Sequence, residues 1–159
     1  MSPKKPMTAA TRLLRSEGVQ YAEHPYDYVA GGGAAGGAAE LGIDPHRVIK
    51  TLILVTSEGD SICVLMHGDR EVSLKRLARQ IGVKSVAMAP ATDANRASGY
   101  QVGGTSPFGL RTDMPVYCET SVTDYAAIVI NGGKRGFLIE LAVPDLLHLL
   151  QPILVNVAV

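Results

Sequence analysis

One lysine stands inside an apolar run, where a charge needs an explanation. Lys50 lies within residues 48–55, whose other members are apolar apart from Thr51, and such a run is typical of a buried β-strand. Because a lysine is almost never fully buried without a partner, its ammonium either reaches water along a flexible stem or meets an anion. The first alternative is an ordinary lysine near a strand end. The second is a cation at the floor of a cleft, where it could bind a carboxylate, a phosphate or a developing oxyanion.

A second candidate for chemistry is the segment Gly103–Gly109, with the sequence Gly-Gly-Thr-Ser-Pro-Phe-Gly. Glycines allow positive φ angles and a close approach of the backbone, and Pro107 restricts Ser106 to an extended conformation. We expect a stiff loop with free backbone N–H groups and a hydroxyl or two, which suits it to hold an ester carbonyl or its oxyanion. The alternative is a tight connection between two elements.

A glycine tract at residues 31–37 contains the spacing Gly31-x-Gly33-x-x-Gly36 that is known from dinucleotide-binding folds. That motif needs a buried strand directly before the glycines, and the preceding residues 24–29 include a proline and an aspartate, which make a poor buried strand. The acid at a suitable distance, Glu58, falls in a predicted hairpin turn. The pattern therefore favours a flexible stretch that leads into a helix and could border a pocket. A nucleotide-cofactor oxidoreductase would rest on this spacing alone.

The elements that must position these residues follow from the hydrophobic pattern. It predicts helices over 8–17, 34–41, 73–81, 90–98 and 144–150. It predicts strands over 19–24, 48–55, 61–66, 83–89, 116–119, 125–130 and 137–141, with an edge strand in the tail 153–159. Hairpins mixed with helices predict one α+β domain over residues 8–159, with a mixed, largely antiparallel and barrel-like sheet flanked by helices. Residues 1–7 are expected to be a disordered lead-in.

Composition excludes several classes of protein. The chain has 159 residues, of which 47% are hydrophobic and 19% charged, so it is expected to fold as a globular domain. Its 15 basic and 15 acidic residues balance, and the basic footprint of a dedicated nucleic-acid binder is missing. Two distant cysteines and four scattered histidines indicate no metal site, and we expect no cofactor. Without a signal peptide or a membrane-length apolar run, we expect a cytoplasmic protein with no membrane partner.

Several motifs occur together in a recognisable order. They are Leu41-Gly-Ile-Asp-Pro, Lys50-Thr51-Leu52, Ser98-Gly-Tyr100, Gly103-Gly-Thr-Ser-Pro-Phe-Gly109 and Asn131-Gly-Gly-Lys-Arg-Gly136. From Thr8 to Leu150 the chain resembles the YbaK/prolyl-tRNA-synthetase-associated family of aminoacyl-tRNA deacylases, and most of all its free-standing bacterial members. The resemblance implies an ester hydrolase that acts on misacylated tRNA in trans, most readily Cys-tRNA(Pro). It also implies prolyl-tRNA synthetase as a partner.

The same resemblance assigns candidate site residues. The essential lysine of the family falls on Lys50, and the glycine that opens its substrate loop falls on Gly103. The residues expected to bind substrate are Tyr26, Thr51, Thr105, Ser106, Pro107, Phe108, Gly109 and Leu138. The chain departs from the family at Leu138, where an aspartate is expected, and in the glycine tract, which lacks an aromatic residue. Both departures lie where the pocket of the family is expected, so they bear on its amino-acid specificity. Leu138 in place of a carboxylate should make the pocket more apolar.

An aminoacyl ester is already activated, so the protein needs to position it and to stabilise the oxyanion. We expect Lys50 to act as an electrostatic anchor and Gly103 and Gly104 to offer backbone N–H groups. In enzymes of this family the thiol of the misattached cysteine is thought to attack its own carbonyl, and this chain has no convincing Ser–His–Asp set. Lys134 and Arg135 are candidate tRNA contacts. The alternative is a binding module without catalysis, for an aminoacyl end, a nucleotide or a protein partner.

Overall fold

The computed structural model describes residues 6–29 and 33–159, so Gly31 and most of the predicted lead-in lie outside the described residues. The helices are α1 (Ala9–Ser16), α2 (Gly33–Leu41), α3 (Leu74–Ile81), α4 (Ala91–Ser98) and α5 (Val143–Leu150). The strands are β1 (Ala22–Pro25), β2 (Val48–Thr56), β3 (Ser61–His67), β4 (Val86–Met88), β5 (Val116–Glu119), β6 (Ala127–Lys134), β7 (Phe137–Ala142) and β8 (Ile153–Val155). None of the helices in these ranges is both long and apolar enough to cross a membrane.

The strands form one mixed sheet in the order β1-β7-β6-β2-β3-β5-β8, with β4 beside β2. The predicted hairpins β2–β3 and β6–β7 are both present and antiparallel. A short parallel pairing of β2 with β6 joins them, and β3–β5 and β5–β8 are parallel as well. The prediction of an α+β domain with a mixed sheet and flanking helices is therefore confirmed. In residues 6–29 and 33–159 the strand order runs from β1 to β8 and these two end strands do not pair with each other, so the sheet of the described residues stays open.

Both faces of the sheet are covered by helices, which explains the nearly continuous apolar run of β2. Ile49 and Ile53 point into the main core, together with apolar residues of α1, α4 and α5. Leu52 and Leu54 point to the opposite face, where α3 packs. Val48 shares that opposite face with α2. Strand alternation sends Lys50 to the face of α2 and α3.

Two predicted strands begin later than expected, for the same reason. After α1 the chain turns at Gly18, and the Val19 N–H donates back to the Leu14 carbonyl at 2.9 Å. After α3 it turns at Gly82, and the Val83 N–H donates to the Ala78 carbonyl at 3.0 Å. These are the backbone bonds of a glycine-terminated helix end, and they occupy residues that alternation alone assigns to strands. The strand predicted over 19–24 is Ala22–Pro25, and the one over 83–89 is Val86–Met88.

The topology around the glycine tract differs from that of a dinucleotide-binding fold. The strand before the tract, β1, lies at the sheet edge and pairs only with β7 among the described residues. The strand after α2, β2, is separated from β1 by β7 and β6. A dinucleotide-binding unit needs neighbouring parallel strands at this point, so the described part of the tract is a helix that covers the sheet.

Candidate active site

A cavity of about 400 Å³ opens beside the middle of β2. Its walls come from β2, the segment after β1, the start of α2, β4 with α4, the loop after α4, and the β6–β7 hairpin. Six of the predicted site residues line it: Tyr26, Lys50, Thr51, Gly103, Thr105 and Leu138. The structure thus brings residues that are far apart in the sequence to one concave, mostly apolar surface, as is typical of ligand sites.

The cavity sits at a gap in the sheet. One edge of β2 pairs with β6 at residues 48–49 and with β4 at residues 54–56; between them, β2 has no strand partner on this edge within the described ranges. On this edge the Arg47 carbonyl accepts from Val129 N–H, and the Ile53 carbonyl accepts from Ala89 N–H. Because strand backbone groups alternate in direction, the N–H and C=O of Thr51 face the gap.

The side chain of Thr51 adds a polar atom at the same place. Its Oγ1 is buried and has no hydrogen-bond partner, and it is the sole such side-chain atom in residues 6–29 and 33–159. A buried hydroxyl without a partner is costly, and a ligand in the cavity could relieve that cost. Thr51 therefore offers hydrogen-bonding groups where a substrate ester could be held.

Lys50 carries its charge to the edge of the cavity. Its side chain is 19% exposed, and Nζ lies 3.4 Å from Oε1 of Glu71, whose side chain is 81% exposed. Glu71 follows β3 and is held by two backbone hydrogen bonds with Val159, of 3.0 and 2.9 Å. Of the two alternatives for Lys50, a flexible stem that reaches water or an anionic partner, the structure shows a partner. That partner is the solvent-exposed carboxylate of Glu71 in the same chain, which the sequence analysis did not identify.

The two glycines that open the loop have different roles. Gly103 lines the cavity with φ +89°, and its carbonyl accepts from Asn131 Nδ2 at 3.2 Å. The N–H of Gly104 donates to the Gln101 carbonyl at 2.8 Å. The expectation that Gly104 offers a free N–H was therefore wrong, because the turn over residues 101–104 uses it. Gly104 instead allows close packing, since a Cβ there would lie 2.8 Å from the backbone nitrogen of Arg135.

The rest of the loop anchors it, and of these residues only Thr105 lines the cavity. The Thr105 hydroxyl donates to the Gln101 carbonyl at 3.2 Å, and the buried Ser106 hydroxyl accepts from Phe108 N–H at 3.3 Å. Phe108 is part of the main core, and its carbonyl accepts from the Tyr100 hydroxyl at 2.5 Å. Pro107 and Gly109 do not line the cavity either. The two hydroxyls expected to face a substrate therefore make hydrogen bonds to backbone groups of the same segment.

The wall opposite β4 is apolar. Leu138 is 4% exposed and packs with Ala38 and Val48. A Cβ on Gly37 would lie 3.2 Å from both Leu138 Cδ1 and Tyr26 Cζ, so a residue without a side chain lets α2 approach this wall. Burial raises the pKa of Tyr26, which keeps its hydroxyl neutral. The site thus has no carboxylate at position 138.

Sequence reasoning missed two further residues at the site. Asn131 lines the cavity and joins the loop to the hairpin, because its Oδ1 also accepts from the N–H groups of Gly133 and Lys134 at 2.6 and 3.1 Å. Tyr28 lines the mouth, and the guanidinium of Arg135 lies 5.1 Å from the centre of its ring. The position of Asn131 directly before Gly-Gly was a signal that it could belong to the site. Tyr28 is two residues after Tyr26, so in an extended segment the two side chains are expected on the same side. Lys134 and Arg135 themselves are exposed beside the cavity and are not part of its lining.

Other reactive groups lie away from the cavity. Burial raises the pKa of both Cys63 and Cys118 to about 12, so these thiols are poor nucleophiles. His67 is fully buried and its Nε2 lies 2.7 Å from Ser121 Oγ, but neither residue lines the cavity. Within the two described ranges, no three His, Cys, Asp or Glu side chains come together to hold a metal ion.

Comparison with known proteins gives a consistent picture. Over 143 residues the chain is 35% identical to EbsC of Enterococcus faecalis, a provisionally assigned Cys-tRNA(Pro)/Cys-tRNA(Cys) deacylase, covering 89% of this chain and 87% of that protein. It is 32% identical over 100 residues to a proline–tRNA ligase of Caldicellulosiruptor bescii, covering 63% of this chain but 17% of the ligase. The fold matches a protein provisionally assigned as a trans-editing enzyme for prolyl-tRNA synthetase, with a TM-score of 0.82, 21% identity and coverage of 98% and 99%.

The resemblance predicted from the linked motifs is thereby confirmed. Residues 32–149 match the family described as "Aminoacyl-tRNA editing domain", and this range includes β2, the loop at 103–109 and the β6–β7 hairpin. The chain belongs to the aminoacyl-tRNA editing domain family.

Proposed function

We propose that this chain is an aminoacyl-tRNA deacylase that acts in trans on Cys-tRNA(Pro) or a related mischarged tRNA. Ester hydrolysis is the activity that the family and the relatives support. The observation that carries the proposal is the convergence of Lys50, Thr51 and Gly103 on one cavity. The domain responsible would span residues 8–159, and it would work in the cytoplasm, where aminoacyl-tRNAs are made.

In this proposal the amino-acid side chain enters the apolar part of the cavity, and the ester lies against the unpaired edge of β2. The N–H groups of Thr51 and Gly103 would donate to the carbonyl oxygen as it gains negative charge. Lys50 binds the anionic portion of the substrate, which replaces Glu71 as the partner of the ammonium group. For a misattached cysteine, the substrate thiol attacks the carbonyl carbon, so that a C–S bond forms while the C–O bond to the ribose breaks. The thiol proton passes to the leaving ribose oxygen, and water then opens the released cyclic thioester to free cysteine. No protein nucleophile is required.

Recruitment by a synthetase would compensate for modest affinity. With 15 basic and 15 acidic residues, the chain has no net charge to attract tRNA. The exposed Lys134 and Arg135 give a local basic site beside the cavity, where they could contact the tRNA backbone. Binding to prolyl-tRNA synthetase would raise the effective concentration of the mischarged tRNA.

The test is a panel of mischarged tRNAs, at least Cys-, Ala- and Ser-tRNA(Pro), incubated with and without the prolyl synthetase. Lys50→Met should slow deacylation by about a hundredfold or more, the usual cost of losing one preorganised electrostatic group. Lys75→Met, which removes a solvated lysine on α3, is the matched control and should leave the rate unchanged. Equal rates for the two variants would contradict the role of Lys50.

Two observations favour a second candidate, a binding module without catalysis. Leu138 gives the pocket an apolar wall, and the Gly104 N–H that was expected to serve the oxyanion is occupied. Hydrolysis of none of the mischarged tRNAs, together with tight binding of a non-hydrolysable aminoacyl amide, would support the module and reject the enzyme.

A further inference from the structure

Ser121 and His67 form a hydrogen-bonded pair outside the cavity. His67 is the last residue of β3 and is fully buried, and Ser121 lies in a short 3₁₀-helix, Thr120–Asp124, that follows β5. The distance from His67 Nε2 to Ser121 Oγ is 2.7 Å. Ser121 itself is only half-buried, so a hydroxyl lies between a buried imidazole and the solvent.

The other ring nitrogen of His67 decides the direction of this hydrogen bond. Nδ1 lies 2.5 Å from the carbonyl oxygen of His46, which can only accept. In the neutral ring Nδ1 therefore carries the proton, and Nε2 has the free lone pair. The hydroxyl of Ser121 must then donate to Nε2. A histidine activates a serine in this way, and here a backbone carbonyl takes the place of the carboxylate that usually orients the imidazole.

A second histidine holds the imidazole in this orientation. The ring of His46 stacks on that of His67, with centroids 3.6 Å apart and planes 7° from parallel. Nδ1 of His46 in turn lies 2.8 Å from Oδ1 of Asp69. The ring of Tyr125 meets the His67 ring edge-on, with the centroids 6.3 Å apart. Because its plane is fixed and both of its nitrogens are engaged, His67 keeps Nε2 directed at Ser121.

His67 is in its basic, uncharged form at neutral pH. Burial lowers its pKa below 6.5, although the hydrogen bond to the His46 carbonyl partly compensates. The charge of His46 lowers the pKa as well, whereas those of Asp69 and Glu119 raise it. These three groups and Tyr125 are the titratable groups of the described residues that face the ring. The two carboxylates favour the imidazolium that forms when the ring takes up a proton.

We propose that Ser121 is a second reactive centre, a hydroxyl that takes acyl groups from small activated esters. Oγ attacks the ester carbonyl carbon, so that a new C–O bond forms while the C–O bond to the leaving alcohol or phenol breaks. The hydroxyl proton passes to Nε2 of His67 and from there to the leaving oxygen or to water. The products are an acylated serine and the free alcohol or phenol. This centre does not depend on the proposed function, because neither residue lines the cavity.

The test exposes the intact protein to p-nitrophenyl acetate and follows acetylation of each serine over time by mass spectrometry. Ser16 is the internal control, because it is exposed and its hydroxyl donates at 2.8 Å to the Leu13 carbonyl, which is not a base. Ser121 should be acetylated about a hundredfold faster than Ser16, the scale of general-base catalysis. If exposure alone decided reactivity, Ser16 would react first.

Two variants and a pH profile separate activation from structure. His67→Gln keeps a polar side chain without a base, and it should slow acetylation of Ser121 by about a hundredfold, with the fold checked by circular dichroism. Lys50→Met should leave acetylation of Ser121 unchanged. The wild-type rate, which does not depend on how well a variant folds, should rise with pH between about pH 5 and pH 8 and level off, with its midpoint below 6.5.

Three results would overturn the proposal. They are equal acetylation of Ser121 and Ser16, a rate that keeps rising with hydroxide concentration as for an unassisted hydroxyl, and a loss of Ser121 acetylation in Lys50→Met. Failure to hydrolyse any mischarged tRNA would reject the proposed function of the cavity, but it would leave this measurement intact.

Discussion

The ion pair of Lys50 with Glu71 leads to a specific prediction about how the Glu71 carboxylate affects substrate binding. If the substrate must displace Glu71 from the ammonium, removing that carboxylate should help binding. Replacement of Glu71 by glutamine keeps the shape of the side chain and removes its charge. We therefore expect Glu71→Gln to raise kcat/KM for a mischarged tRNA.

The size of the effect follows from the exposure of the pair. The two atoms lie 3.4 Å apart, but the Glu71 side chain is 81% exposed, so water screens the attraction. Pairs of this kind contribute about 0.2–1 kcal/mol, which corresponds to an increase of about 1.4- to 5-fold. The ratio of variant to wild type should fall toward one at a salt concentration of about 1 M, where the screening length is about 3 Å.

The assay is steady-state deacylation of Cys-tRNA(Pro) at low and high salt. Glu58→Gln is the matched control, because it removes an exposed carboxylate in the β2–β3 turn, far from Lys50 along the hairpin. Adding Lys50→Met to Glu71→Gln should abolish the gain, since the carboxylate then has no cation to occupy. The reasoning is refuted if Glu71→Gln and Glu58→Gln behave alike at low salt, or if Glu71→Gln lowers kcat/KM.

Three further predictions concern the wall of the cavity, the buried histidine and the thiols. Leu138→Asp should shift the substrate profile toward polar side chains and lower the free energy of unfolding by about 2 kcal/mol or more; an unchanged profile on a panel of mischarged tRNAs, with Leu138→Asn as the uncharged control, would contradict this. Burial lowers the pKa of His67 below 6.5, with partial compensation from its hydrogen bond to the His46 carbonyl, so its contribution to stability should be complete above pH 6.5 and decline as the pH falls below it. The free energy of unfolding is measured with urea between pH 8 and pH 5. It should depend less on pH in His67→Gln than in the control variant His148→Gln. Cys63 and Cys118, whose pKa values burial raises to about 12, should resist a thiol reagent in the native protein and react after denaturation; rapid native labelling would show that the core opens.

Local signals were sufficient to predict most of the elements. The β2–β3 hairpin follows from an apolar run, a polar turn and a second apolar run, and α3 follows from its spacing of apolar residues between Ser73 and Gly82. These patterns depend on neighbours in the chain, which the sequence displays directly. The predicted starts of two strands, at residues 19 and 83, were wrong because those residues belong to glycine-terminated helix ends. The alternation of apolar and polar residues does not reveal that a helix end competes for the same residues.

The candidate site is formed by contacts between segments that are distant in the sequence. Only some of its residues could therefore be predicted from the sequence. Linked motifs indicated Lys50, Gly103 and Tyr26, which do line the cavity. The pairing of Glu71 with Lys50 and the placement of Tyr28 at the mouth arise only when the sheet is assembled. Phe108 illustrates the opposite error, because an aromatic residue in a functional motif turned out to be a core side chain.

The parallel joint between β2 and β6 has a consequence for biosynthesis. Val48 and Ile49 pair with Val129 and Ile130, so the two hairpins, each of which can close locally, meet only after most of the chain has been made. Non-local pairings of this kind close late in folding. A nascent chain that still lacks β6 and β7 cannot complete the cavity, whose lining includes Asn131 and Leu138. We therefore expect it to be inactive toward the charged tRNAs around the ribosome until both strands have been added.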